Sequence, residues 1–403
     1  MKIYPSKILP FIVGLLIFLN LQPYFVWSLI SNNYIRLSVD FITLGLLALK
    51  LRKFSNVDFN FFVFLFITLF LMAFFNGLNA FGMISTIILV IIPFTSHGFL
   101  KDSYTYFVRI YTIIMFLSMI VLLLLVLNIH LPYQIIPPLN TLKPYQYTAY
   151  PFLVIPGYGI TEIPQLGRHC GPFDEPGVVG TIGLIILYIE KFNLRKLQNI
   201  IILISGIISF SLFFYVASLL FALYYVFVNK TKKIYRLLTI VSLSFVIFVS
   251  LDNELLSGYI WNRIKWDSEK ESIAGDNRAL DGLDKYFESI KGTKVYYFGL
   301  GLYNKELMTS FDRSAGYRNA ILRYGFVSSA LYCLFFFLFA YKQIGYRREY
   351  LLFLLIFITT LYQRPGLLLI HYIYLFVVFI MLNSKRELLN EFKQSVLKKR
   401  TLP

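Results

Sequence analysis

Residues 107–129 read FVRIYTIIMFLSMIVLLLLVLNI, a run whose one charge, Arg109, lies near its start. At 1.5 Å of rise per residue, a helix of about 20 apolar residues crosses a ~30 Å hydrocarbon core. Comparable runs recur along the whole chain. Of its 403 residues, 58% are hydrophobic and 15% charged, and the mean hydropathy is +0.67. A soluble domain has about 45–50% apolar and about 25% charged residues. The difference excludes a soluble enzyme, a disordered chain, a fibrous protein and a single-span receptor. It also excludes an outer-membrane barrel, whose strands would read as short alternating segments. The expected fold is all-α, a polytopic transmembrane helical bundle of about twelve spans.

The runs fall at residues 8–30, 33–49, 59–77, 81–99, 107–129, 175–190, 197–210, 211–228, 237–252, 318–341, 350–363 and 366–382. Leu197 to Val228 is too long for one ordinary span, and Ser209 and Ser211 supply its polar break. The net charge of +17 lies mostly in short segments between runs. With the N-terminus inside, the cytoplasmic turns hold Lys50, Arg52 and Lys53, then Lys101, then Lys191, Arg195 and Lys196. Lys230, Lys232, Lys233 and Arg236 follow, then Lys342, Arg347 and Arg348, and finally Lys398, Lys399 and Arg400. The short opposite turns, Asn76–Ala80 and Ser209–Ser211, carry no basic residue. Orientation follows Lys and Arg near span ends, so both termini are expected on the cytoplasmic side. No basic stripe interleaves with aromatics, which argues against a nucleic-acid partner. Lys2 and Lys7 ahead of Leu9–Leu21 resemble a signal sequence. No small-residue cleavage site follows, so this first helix is expected to be retained.

The chain therefore divides into spans one to five (1–129), a first extracytoplasmic loop (130–174) and spans six to nine (175–252). A second extracytoplasmic loop (253–317), spans ten to twelve (318–382) and a basic cytoplasmic tail (383–403) follow. The first loop is rich in Pro, Tyr and Gly and reads as an ordered loop on the membrane. In the second, Leu280, Leu283, Phe287 and Ile290 recur at helical spacing, which predicts an amphipathic helix over 276–290. Loops this long are more often functional than mere connectors. The two cysteines, Cys170 in a loop and Cys333 in a span, supply no disulfide framework and no zinc spacing. No metal and no cofactor is called for.

Arg168-His169-Cys170-Gly171-Pro172-Phe173-Asp174-Glu175-Pro176-Gly177 is the most informative polar stretch. Pro176 suits the first position of a helix, and the residue before it is pushed to the extended geometry of a cap. Asp174 or Glu175 reads as that cap. Glu is not a favoured cap residue, however, which leaves a catalytic carboxylate as the other reading. Gly177, Gly180 and Gly183 allow close approach of a neighbouring helix. Arg278 stands in the first turn of the amphipathic helix, where a cation opposes the helix dipole unless an anion is near. Arg318 and Asn319 begin span ten, and Arg364 opens span twelve beside Gln363 and Pro365. Arg168, Arg278, Arg318 and Arg364 read either as separate membrane anchors or as one set for an anionic ligand, such as a phosphate, on the outer face. His371 is ionisable inside a span, with packing and function equally open. Asp252-Asn253-Glu254 and Gly299-Leu300-Gly301 read as a span end and a turn.

The stretch Arg168-x-x-Gly171-x-Phe173-x-Glu175-Pro176-Gly177 resembles a signature of Wzy-type repeat-unit polymerases, which build O-antigen and capsular polysaccharide. Asn277-Arg278, Arg318-Asn319 followed by Gly325, and Tyr362-Gln363-Arg364-Pro365 fit the same family. The resemblance covers about 168–366 and implies a glycosyltransferase of GT-C-like architecture. Its donor and acceptor would be undecaprenyl-pyrophosphate-linked oligosaccharides in the bilayer, with a chain-length regulator as a further candidate partner. Glu175 would be the catalytic base, with His169 second, and Arg168, Arg278, Arg318 and Arg364 with Asn319 and His371 would bind substrate. The O-antigen ligases share the layout but depend on a His in the last large loop, and 253–317 contains none. An oligosaccharide-lipid flippase or other transporter is the rival class, although carriers place their sites near the midplane.

Overall fold

In a computed structural model of the chain, the structure describes residues 5–27, 33–138, 146–156, 168–228, 266–267, 272–273, 283–304, 307, 316–363, 366 and 368–385. The helices are α1 (Pro5–Leu19), α2 (Asn33–Ala48), α3 (Asn56–Phe75), α4 (Ala80–Ile87) and α5 (His97–Val126). After them come α6 (Pro176–Ile189), α7 (Leu197–Ile208), α8 (Leu212–Val228), α9 (Leu283–Ile290) and α10 (Lys294–Phe298). The last three are α11 (Tyr317–Ile344), α12 (Arg348–Gln363) and α13 (Ile370–Leu382). Among the described residues, α3, α5 and α11 are long and apolar enough to cross a membrane, and several shorter apolar helices accompany them. The protein is mainly helical, as its apolar runs require.

Three boundaries differ from the expectation for physical reasons. The run over 8–30 stops at Leu19, because Gln22 adopts a left-handed φ of +59° and Pro23 follows. The run over 81–99 is helical only to Ile87. A 3₁₀ segment, Ile88–Phe94, continues it and contains Pro93. Helix α5 then starts at His97 rather than near 107, carrying Lys101, Asp102 and Arg109 within it. The expected ninth span and residues 276–282 of the amphipathic helix lie outside the described residues.

The chain forms two compact units. The first contains residues 1–17, 37–106 and 282–403. Its core is an aromatic seam in which Phe61 of α3 lies 6.1 Å from Phe335 and 5.8 Å from Phe339 of α11. Phe336, Phe357 and Phe376 extend the seam across α11, α12 and α13. At one end the chain after α2 meets the entry to α5, where Arg52 N donates to Phe94 O and Ser96 N to Lys50 O. Asp58 accepts from Arg52 Nη2 at 3.0 Å and from Lys342 Nζ at 3.3 Å at this same end. Basic segments far apart in sequence thus converge there. At a different place in the unit, Gly299 and Gly325, with φ of +83° and +79°, let the turn after α10 press its backbone against a kink in α11. The carbonyl of Gly301 occupies the space beside Gly77 in the α3–α4 turn.

The second unit contains residues 18–36 and 107–281. Residues 134–156 were expected as loop but carry an antiparallel sheet, β1 (Gln134–Ile136), β2 (Tyr147–Tyr150) and β3 (Leu153–Pro156). Its register pairs Gln134 with Ala149 and Tyr150 with Leu153. Alternation puts Tyr147 and Ala149 against Trp27 and Cys170, while Tyr150 and Leu153 pack on Val121 and Leu125 of α5. A short hairpin, β4 (Trp266–Asp267) and β5 (Ser272–Ile273), is also present. Helices α7 and α8 part at Ser209–Ser211, where Phe210 takes a φ of +47°. Packing here is tight: a Cβ on Gly180 would stand 2.5 Å from Ser211 Cβ, and the Phe214 ring fills the place of one on Gly206.

Candidate functional site

Residues 168–175 form an irregular strap in the second unit, tied by backbone hydrogen bonds at several points. His169 N donates to Ile208 O at 3.1 Å, and Gly171 O accepts from Val154 N of β3 at 2.8 Å. Pro172 O accepts from Tyr24 N at 2.7 Å, and the Tyr147 hydroxyl donates to Asp174 O at 2.7 Å. Gly171 is needed at its φ of +58°, because a Cβ there would lie 2.9 Å from the Met115 methyl. Phe173 is fully buried, stacked on Tyr111 at 6.3 Å and tilted against Phe18 at 6.2 Å. A buried strap must satisfy its own polar groups, and Ile208, Val154, Tyr24 and Tyr147 each supply a partner here.

Glu175 ends the strap as the cap of α6, with φ −147° and ψ 138°. Pro176 enforces that extended geometry and opens the helix. The Glu175 side chain makes no capping hydrogen bond to the first turn, and the residue is partly exposed. The geometry thus gives the carboxylate no part in capping the helix.

His169 has a different environment from that of a solvent-facing base. It is fully buried, with Nε2 2.9 Å from Ser118 Oγ of α5 and Nδ1 3.3 Å from Ser205 Oγ of α7. Burial pushes its pKa below the usual histidine range, which favours the neutral ring. The imidazole therefore braces the strap between two helices, through Ser118 on one side and Ser205 on the other. Neither Ser118 nor Ser205 was singled out in the sequence, where both look like isolated polar residues in apolar runs.

Arg168 is also engaged by the fold. Its Nε donates to Ser209 O at 3.3 Å and its Nη2 to Phe210 O at 2.8 Å. The guanidinium thereby takes up carbonyls that the end of α7 leaves without helical donors. Cys170 is fully buried, and its thiol donates to Arg168 O. Tyr147 and Tyr150 of the first loop are core residues.

The remaining candidates fall in the first unit or outside the described residues. Arg318 lies at the start of α11 with its guanidinium carbon 5.7 Å from the Tyr317 ring centre. Asn319 is buried and accepts from Arg323 Nε at 2.8 Å. A Cβ on Gly316 would lie 3.4 Å from Tyr362 O, so the start of α11 adjoins the end of α12. That contact brings the segments of Arg318-Asn319 and Tyr362-Gln363 together. His371 is buried in the first turn of α13, beside the Tyr372 ring at 4.5 Å. Arg278, Arg364 and Asp252-Asn253-Glu254 lie outside the described residues. Gly299-Leu300-Gly301 is the turn already described against Gly77 and Gly325. No three His, Cys, Asp or Glu among the described residues are grouped to hold a metal ion. No family model, no curated protein and no solved structure matches this chain.

Proposed function

We propose that the chain is a membrane glycosyltransferase that joins lipid-linked oligosaccharide repeat units on the outer face of the bacterial cytoplasmic membrane. The observation that carries this reading is the strap. It sets Glu175 at the N-terminus of α6, partly exposed and held extended by Pro176. In the reaction, the terminal hydroxyl of one lipid-linked unit gives its proton to the Glu175 carboxylate. Its oxygen then bonds to the anomeric carbon of the growing chain on a second lipid carrier. The bond from that carbon to the pyrophosphate oxygen breaks, and lipid pyrophosphate leaves. Arginines stabilise the charge on that leaving group, the role that the resemblance implies for Arg168, Arg278, Arg318 and Arg364. Both termini face the cytoplasm in this reading. The convergence of Lys50, Arg52 and Lys342 at one end of the first unit supports that orientation. Reconstitution of the full chain in vesicles with the host's lipid-linked repeat unit tests it: a ladder of products on a gel is expected, and substrate returned unchanged overturns the reading.

A further inference from the structure

A continuous run of rings crosses the first unit from the start of α11 to the end of α10. Arg318 stacks near Tyr317, whose ring meets Phe287 of α9 edge-on at 6.2 Å. Phe287 meets Tyr296 at 5.9 Å, and Tyr296 lies nearly parallel to Phe326 at 5.3 Å. Tyr297 closes the run, 6.5 Å from Phe326. Phe287 is buried beneath this surface, whereas Tyr317, Phe326 and Tyr297 are 46%, 41% and 41% exposed. An exposed ion pair between Lys291 and Glu288 borders it, with the ammonium 6.0 Å from the Phe287 ring.

We infer that these rings form a glycan-binding platform, resting on the glycosyltransferase reading above and naming the surface that takes the sugar chain. The negative face of an aromatic ring attracts the polarised C–H bonds of a pyranose, while hydroxyls at the sugar's edge need polar partners. The run offers both, since its exposed rings are flanked by phenol hydroxyls and the Lys291–Glu288 pair. The guanidinium at one end matches the anionic pyrophosphate that a lipid-linked glycan carries at one end only. A belt of tyrosines at the membrane interface would need neither this end-to-end ring order nor a cation stacked at its terminus.

Leucine separates the two uses, because it keeps apolar bulk and helix propensity but has no ring face. The test uses the full chain in nanodiscs and the oligosaccharide released by mild acid from the host's lipid-linked intermediate. Saturation-transfer NMR reads binding, and the gel ladder reads polymerisation. Tyr297→Leu and Phe326→Leu should each weaken oligosaccharide binding about 2- to 10-fold, and Tyr297→Trp should restore it. Leucine variants that bind as wild type overturn the platform and assign the rings to the bilayer. A wild-type protein that makes a ladder but shows no transfer to the oligosaccharide also overturns the platform, while leaving the polymerase reading intact. Binding without a ladder supports the platform and removes the polymerase. Absence of both removes both.

Discussion

Ser118 and His169 stand 51 positions apart in sequence, yet the serine hydroxyl lies 2.9 Å from the imidazole Nε2. With Ser205 on the other ring nitrogen, both polar atoms of a fully buried histidine are accounted for. A folded state that holds histidine neutral binds fewer protons than the unfolded chain between the lowered and the ordinary pKa. Stability is then complete above the ordinary value and falls as pH drops below it. The thermal midpoint in nanodiscs should therefore be lower at pH 5.5 than at pH 7.5. His169→Gln, which retains a donor and an acceptor, should flatten that difference, whereas an equal slope in the variant would assign the pH dependence to other groups.

For Glu175, the two readings of the sequence make opposite predictions. An amide keeps an oxygen for capping but cannot carry a proton away. Glu175→Gln should leave protein level and thermal midpoint near wild type while abolishing the ladder, and Glu175→Asp should retain partial activity. If the residue mattered as a cap, Asp would equal or better the wild type, and Gln would cost at most about 1–2 kcal/mol of stability. Long chains from the Gln variant would remove Glu175 from the mechanism.

Arg168 and Arg318 should separate in a paired experiment. The first spans two carbonyls at the α7–α8 turn, and an ammonium lacks the rigid fork that does so. Arg168→Lys should lower both the thermal midpoint and the product yield. Arg318→Lys should leave the midpoint nearly unchanged while reducing the rate on the order of 10²-fold, the loss expected for a charge-stabilising donor. Equal effects on stability and rate at both positions would contradict the division.

Gly325 and Gly45 provide a contrast in backbone freedom. Gly325 holds φ +79° and ψ 155°, a region nearly restricted to glycine, with the Tyr297 carbonyl in the way of any Cβ. Gly325→Ala should destabilise by on the order of 3 kcal/mol. Gly45, inside α2, has nothing within 4 Å of its added Cβ. Gly45→Ala should be neutral or stabilising by about 0.5–1 kcal/mol. Chemical denaturation of the two variants in detergent gives both numbers.

Topology is open to direct measurement. Reporter fusions after Val126 and after Ser257 should both read extracytoplasmic. Cys170, the one cysteine outside a span, is buried and should resist a membrane-impermeant thiol reagent until the protein is denatured. Rapid labelling in intact cells would mean that the strap is open.

Much of this arrangement is visible in the one-dimensional pattern, and the invisible part has a common cause. Apolar runs mark α3, α5 and α11, the described helices long and apolar enough to cross a membrane. Ser209–Ser211 marks the α7–α8 break through local polarity. The sheet over 134–156 leaves no such mark, since strands of three or four residues are too short for alternation to register. Gly299-Leu300-Gly301 can be read as a turn, but its need for Gly77 and Gly325 is a property of tertiary contact. The same holds for the strap: its charged and proline residues stand out, whereas the serines that brace His169 lie 51 and 36 positions away.

The ion triad of Arg52, Asp58 and Lys342 joins residues 284 positions apart in the case of Asp58 and Lys342. During ribosomal synthesis, the acid is made early and waits for its second cation until most of the chain exists. The second unit has all its residues once Asp281 is added, whereas the first depends on helices that emerge last. Since domains close as units and mostly in order of emergence, the N-terminal helices must persist as an unfinished half. A chain truncated before α11 would thus retain a closed strap and lose the partner of α3, so premature termination should damage the earliest-made spans more than the middle ones.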